Sequence, residues 1–133
     1  MEQYSKEVMD HFMNPRNVGV IKDADGIGEV GNIRCGDIMY IYIKVGTRDK
    51  EQGTSEKFIE DIKFKTLGCA AAIASSSMMT ELVKGKSIED AEKVSRDDIN
   101  EALGILPKQK YHCSILSAEG IQKAIADYKN KKK

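Results

Sequence analysis

Cysteine is scarce in this sequence: there are three in 133 residues, and none forms a Cys-x-x-Cys pair. An odd, scattered set argues against the paired disulfide framework of a secreted mini-domain and for a compartment in which thiols stay reduced. Proline is scarcer still, and both residues read as breaks, one ending a helix-like run at Asn14-Pro15 and the other at Leu106-Pro107. Charge of either sign is not in excess. Lys plus Arg and Asp plus Glu both total 21, so no overall field draws in nucleic acid or an acidic membrane, and neither is expected as a partner. No run approaches the ~18 apolar residues of a membrane span. The charged start Met1-Glu2-Gln3-Tyr4-Ser5-Lys6-Glu7 lacks an apolar core, so the expectation is a soluble, cytoplasmic protein.

What is present suffices for a core. At 41% hydrophobic, residues 1–133 read as one domain, of a size that buries roughly 68–70% of its unfolded surface. Such a chain needs no ion merely to fold, so a metal it holds is cargo or function before it is support.

Tyr4, Val8, His11 and Phe12 recur at helical spacing and predict a short amphipathic helix, with His11 as a packing side chain on its stripe. Asn14-Pro15-Arg16-Asn17-Val18-Gly19 predicts an ordered loop. A short edge strand is expected from Gly26 to Gly31 and a central one over Ile38–Val45, apolar on both parities and so covered on both faces. Gly46 through Ser55 reads as a long exposed connection, with Arg48-Asp49-Lys50-Glu51 at a solvated tip. The returning strand, Phe58 to Leu67, alternates Ile62, Phe64 and Thr66 with Asp61, Lys63 and Lys65.

A helix then runs from Cys69 to a C-terminal Gly85. Its serine run, Ser75-Ser76-Ser77, is accompanied by no base in the sequence and reads as small-residue packing. Ser87-Ile88-Glu89-Asp90 and Ser95-Arg96-Asp97-Asp98 place a hydroxyl three residues before a carboxylate and predict two capped short helices. Beyond Pro107 comes a His112-Cys113 segment, and Ile121, Ala124, Ile125 and Tyr128 mark a final amphipathic helix.

All three thiols flank regular elements, where folds tend to put sites. Cys35 stands in Arg34-Cys35-Gly36-Asp37 between two strands, Cys69 heads a helix, and Cys113 follows His112. The hypothesis is that Cys35, Cys69 and Cys113 converge with Asp37 and His112 on one exposed metal or cluster site. Thiolates are soft ligands that select zinc, copper(I) or iron-sulfur clusters over magnesium or calcium, and a thiol at a helix N-terminus is favoured as thiolate by the backbone dipole. A hard carboxylate such as Asp37 matches sulfide-bound iron poorly, which suits a site built to let go. A Cys113-His112 catalytic dyad is disfavoured, since consecutive helical residues point roughly 100° apart.

Tyr4-Ser5 through Asp10-His11, Asn14 to Gly19, Cys35-Gly36-Asp37, Phe64-Lys65-Thr66, Gly68 to Ser77 and Lys110-Tyr111-His112-Cys113-Ser114 together resemble the IscU/NifU N-terminal family of iron-sulfur cluster assembly scaffolds, in order, from Tyr4 almost to Lys129. The resemblance implies an α+β fold, a three-stranded antiparallel sheet packed against about five to six helices with the site at one end. It implies a scaffold or carrier rather than a turnover enzyme: a cysteine desulfurase delivers sulfur as persulfide, iron is added, and a 2Fe-2S cluster is built and passed to acceptor proteins. Carried over by motif, Cys35, Cys69 and Cys113 would be cluster ligands and sulfur acceptors. Asp37 would be a ligand or a controller of release, His112 an alternative fourth ligand, and Lys110 a nearby cation pairing with Asp37 or a thiolate. Zinc would be an alternative occupant, and a homodimer is admitted when cluster is loaded.

Three features depart from the family pattern. Ile33 stands where the family often has proline, and the connection from Gly46 to Ser55 is longer than the family's hairpin. Leu106-Pro107-Lys108-Gln109-Lys110 replaces a proline and an apolar anchor of the bacterial chaperone motif with polar residues, which argues against a dedicated heat-shock chaperone. The alternative is a zinc-dependent sulfur-acceptor of the SufU type. That branch carries an insertion before the third cysteine and lacks the preceding histidine, whereas His112 is present here and no extra block is evident.

Overall fold

The computed structural model describes residues 5–32, 37–49, 53–104 and 111–131, with the backbone alone at Asn32, Asp37, Tyr111 and His112. Three strands, β1 (Gly26–Asn32), β2 (Asp37–Asp49) and β3 (Ser55–Leu67), form one antiparallel sheet with β2 in the middle. The described helices are α1 (Lys6–Met13), α2 (Ala70–Val83), α3 (Ile88–Glu92), α4 (Arg96–Ala102) and α5 (Tyr111–Lys131). This is the expected α+β arrangement.

Along β2 the side chains of Met39, Ile41 and Ile43 are buried, while Ile38, Tyr40 and Tyr42 between them are half-buried. The strand expected to be covered on both faces is therefore sealed on one. The reason is amphipathic: a tyrosine ring can shield the sheet while its hydroxyl stays in water, so an apolar-looking run need not mean two covered faces.

The hairpin also differs from expectation. Strand pairing continues through Arg48↔Glu56 and Asp49↔Ser55, so most of the connection read as loop is ladder. Arg48 Nε donates to Glu56 Oε2 at 2.6 Å, and its guanidinium lies 4.5 Å from the Phe58 ring centroid. Polar side chains that pair across strands can extend a ladder, which composition alone does not reveal. Lys50 and Glu51 of the predicted tip lie outside the described residues. Nearer the core, Lys44 pairs with Asp61 but Val45 with Ile59, a bulge that leaves Glu60 between them. It reverses the parity of β3, and so Ile59, Ile62 and Phe64 can all face the core.

The outer edge of β3 is covered by the Asn17–Gly19 loop. Phe64 N–H donates to Asn17 O at 2.9 Å, and Gly19 N–H donates to Phe64 O at 2.8 Å. Asn17 adopts φ 63°, a left-handed conformation that asparagine tolerates, and its Nδ2 donates to Thr80 Oγ1 of α2 at 2.9 Å. Alongside, Ser5 caps α1 by accepting from Val8 N–H, and Ser5 Oγ donates to Leu103 O, which ties the start of α1 to the end of α4. His11 is 7% exposed, and its Nδ1 lies 2.7 Å from Ser77 Oγ, which also accepts from the Arg16 N–H at 2.9 Å. It is a packing histidine, as its place on the stripe predicted.

α2 ends as expected, with Gly85 at φ 87° just past the C-cap and its N–H on Ile59 O at 2.8 Å. Ser87 accepts from Asp90 N–H, and Ser95 with Asp98 completes a reciprocal capping box, so both short helices start where predicted. α5 begins earlier than the apolar pattern from Ile121 indicated: His112 and Cys113 lie within its first turn.

α5 lies against the sheet at backbone distance. A Cβ placed on Gly28 would sit 2.3 Å from Gly120 O, and one on Gly120 would sit 2.9 Å from Ile41 Cγ1. Near its other end the Asp127 carboxylate accepts the Ile27 N–H at 2.8 Å, which holds its pKa below the ordinary carboxylate range.

Two outcomes follow. Gly28→Ala forces α5 away from β1 and should cost about 1–3 kcal/mol, the usual range for overpacking, read as a lower midpoint in urea; an unchanged midpoint would contradict the close approach. Burial, then the charge of Arg16, holds the His11 pKa below its ordinary 6.5. The unfolded chain then takes up a proton that the folded chain refuses, so this contribution to stability is complete above about pH 6.5 and is lost as pH falls through the folded pKa. Stability against pH should accordingly flatten over that window in His11→Gln, and an identical slope in the variant would remove His11 as the cause.

Candidate metal centre

One end of the sheet gathers the candidate site. The ladders pair Asn32 with Asp37 and Ile38 with Leu67, so the head of β2 lies beside the tail of β3, where Thr66 Oγ1 donates to Ile38 O at 2.7 Å. Two residues beyond Leu67 the chain reaches Cys69. There it turns into α2 with Cys69 as the N-cap residue, in extended backbone conformation and without a side-chain cap hydrogen bond. Cys113 arrives from the other side as the third residue of α5.

Cys69 Sγ and Cys113 Sγ lie 3.8 Å apart, although 44 positions separate them in sequence. A disulfide would bring them to ~2.05 Å, so these are two separate sulfurs. The spacing has a direct chemical meaning: two sulfurs each ~2.3 Å from one tetrahedral ion lie about 3.8 Å from each other. Were both ionised, they would repel by about 4 kcal/mol at an effective dielectric of 20, a cost that a shared cation removes. Soft donors at this separation fit zinc or sulfide-bound iron.

The other candidates stand at the same end only in part. Asp37 heads β2 and His112 precedes Cys113 in the first turn of α5, but the side chains of both fall outside the described structure, as do Cys35 and Lys110 altogether. Among the described residues, no group of three or more His, Cys, Asp or Glu comes together. Cys69 is half-buried and Cys113 is buried completely, so the exposed site expected from sequence is, at these two thiols, open only on the Cys69 side.

The serine run corrects another expectation. A base does lie beside it, since His11 contacts Ser77, but the pair is buried between α1 and α2 and Ser77 has no exposed surface. Substrate cannot reach it, and the arrangement is structural. Ser76 does something sequence reasoning missed: its Oγ lies 3.3 Å from Met39 Sδ, which Ser117 Oγ approaches to 3.7 Å from α5. No spacing rule points to Met39; its only signal in the sequence is the odd parity it shares with Ile41 and Ile43.

The profile of the NifU-like N terminal domain matches residues 3–133. Over 125 residues the chain is 61% identical to iron-sulfur cluster assembly scaffold protein IscU 1 of Archaeoglobus fulgidus, covering 94% of this chain and 76% of that protein. Over 132 residues it is 50% identical to the IscU scaffold protein of Escherichia coli, covering 97% and 96% respectively. Among solved structures, the N-terminal part of a nitrogen-fixing NifU-like protein from Brucella abortus superposes with a TM-score of 0.73 at 17% identity, covering 98% of this chain and 96% of that one. A protein from Fervidobacterium islandicum, proposed as the scaffold of a SUF system, gives 0.69 at 22% identity over 93% and 97%. At those identities the two structures bear on fold alone.

The burial difference gives a simple expectation. In the native protein a small alkylating reagent should modify Cys69 well before Cys113, and the two rates should converge in denaturant, read by peptide mass spectrometry. Equal native rates would mean that Cys113 is not enclosed.

Proposed function

The chain belongs to the family of NifU-like N-terminal domains, and we propose that it is a scaffold on which an iron-sulfur cluster is assembled and from which the cluster is passed on. The observation that carries this reading is the 3.8 Å separation of Cys69 and Cys113, each at the start of its own helix. Relatives at 61% and 50% identity bear the name of iron-sulfur cluster assembly scaffold, which supports extending the role to this chain.

In this proposal Cys35 joins Cys69 and Cys113 as ligands and sulfur acceptors, and Asp37 or His112 completes the set. A cysteine desulfurase is the sulfur donor. A scaffold thiolate attacks the outer sulfur of the donor's persulfide, forming Cys–S–SH and releasing the donor's own thiolate. Each sulfur so delivered needs two electrons from an external reductant before it becomes sulfide. With iron supplied, the product is a 2Fe-2S cluster. Asp37, the hard donor in a soft set, is the ligand that leaves first, so acceptor proteins can take the cluster. Lys110 neutralises Asp37 or a thiolate before loading. The protein is consumed and regenerated as a carrier, and it works in the cytoplasm.

Anaerobic incubation with a desulfurase, cysteine, dithiothreitol and ferrous iron should give sulfide-to-iron charge-transfer absorption and a 2Fe-2S Mössbauer signature. Asp37→Ala should hold the cluster longer against an apo-acceptor. Tightly held zinc with persulfide and no bridged iron would replace this reading with the zinc-dependent sulfur-acceptor one.

A further inference from the structure

We propose that Met39 is a positioning residue for the metal centre, its thioether acting as a spacer that sets the separation of the two helix-borne thiols. The inference rests on the scaffold reading of Cys69 and Cys113 and adds to it a residue that contacts no metal.

Met39 lies on the core face of β2, two residues after Asp37, and is 1% exposed. Its Sδ is 3.3 Å from Ser76 Oγ of α2 and 3.7 Å from Ser117 Oγ of α5; both serines are fully buried. The two serines mark the same helices that carry the thiols. Ser117 is four residues, about one turn, beyond Cys113, and Ser76 is seven residues, about two turns, beyond Cys69. At its four-residue spacing Ser117 falls near the side of α5 that carries Cys113, and Ser76 lies about two turns into the helix that Cys69 caps. One sulfur on the sheet thus meets both helices below the point where their own sulfurs come to 3.8 Å.

The contacts are suited to setting a distance rather than to supplying stability. A thioether is a weak acceptor. Each hydroxyl has one proton and a second acceptor on its own helix, Ser76 at Ala72 O (2.8 Å) and Ser117 at the carbonyl of Cys113 itself (3.1 Å). Loss of the Met39 sulfur therefore leaves no buried hydroxyl stranded. Leucine has nearly the same volume, and Met-to-Leu exchanges in cores usually cost less than about 1.5 kcal/mol. What changes is the specific sulfur-to-hydroxyl packing that holds α2 and α5 at a fixed spacing. Partners bonded directly to metal ligands typically govern metal affinity by about 10–100-fold; Met39 acts one contact further out, through the serines, so the lower end of that range is expected.

The test is Co²⁺ titration of the full chain, read by thiolate-to-cobalt charge transfer and by the d–d bands of tetrahedral cobalt, with the melting temperature of the metal-free protein measured alongside. Wild-type protein should show both bands; their absence would sink the scaffold reading itself, separately from this inference. Met39→Leu should bind Co²⁺ about tenfold more weakly with altered d–d bands while its metal-free melting temperature stays close to wild type. Ser117→Ala should produce a similar loss, and the double variant should lose little more than either single one, because both remove the same contact. Should Met39→Leu fail to fold, Ser76→Ala and Ser117→Ala, which remove the two contacts to its sulfur one at a time, should each weaken Co²⁺ binding while the metal-free melting temperature stays close to wild type. Unchanged cobalt affinity and spectrum in a folded variant, or losses that add and track melting temperature, would overturn the proposal.

Discussion

The structure depends on how closely α5 lies against the sheet. Backbone meets backbone where Gly28 faces Gly120, and no side chain larger than hydrogen fits between them. That contact seats α5 over β1 and β2 and thereby delivers its first turn, with Cys113, to the end of the sheet where β3 passes into α2. α2 answers with small side chains of its own: Ala71, Ala72, Ala74 and the three serines are all buried. Close approach is favourable here because dispersion and apolar burial need direct contact, and a gap of even a methyl group forfeits them.

Several polar groups inside this packing are matched in pairs, although Ser75 Oγ on α2 is buried without a hydrogen-bond partner among the described residues. His11 and Ser77 satisfy one another between α1 and α2, Thr66 reaches back to Ile38 O, and Asn17 joins the β3 edge to Thr80. The first and third of these links tie α2 to α1 and to the loop on the β3 edge, and the second joins the two strands at the candidate centre. The result is a closely packed surround for two thiols whose own interaction, once ionised, is repulsive. A framework that holds like charges together must be supported elsewhere, and here the support comes from the core rather than from the ion.

The family pattern and the described geometry both support the proposed centre. Cys69 and Cys113 offer soft donors at the separation a tetrahedral ion demands, and relatives over nearly the whole chain bear the name of cluster scaffold. The half-buried Cys69 is reachable from outside, and Cys113 is enclosed.

Much of this was legible in the residues. Hydrophobic periodicity, the capping serines Ser87 and Ser95 and the glycine past α2 located most elements, because helix ends and strand faces are written in local chemistry. The two charged residues Arg48 and Asp49 misled, since whether they belong to a loop or a ladder depends on partners across the strand. The tyrosines of β2 misled for a related reason, a sequence showing that a side chain can be buried but not what lies over it. Composition and motif order pointed to thiols as the candidate ligands. Only tertiary packing could decide that two sulfurs 44 positions apart stand at 3.8 Å, that Cys113 is enclosed and Cys69 is not, and that a methionine sulfur lies between two serines beneath them. Distances between elements are set by the fit of whole side chains across the core, a property no single stretch of sequence contains.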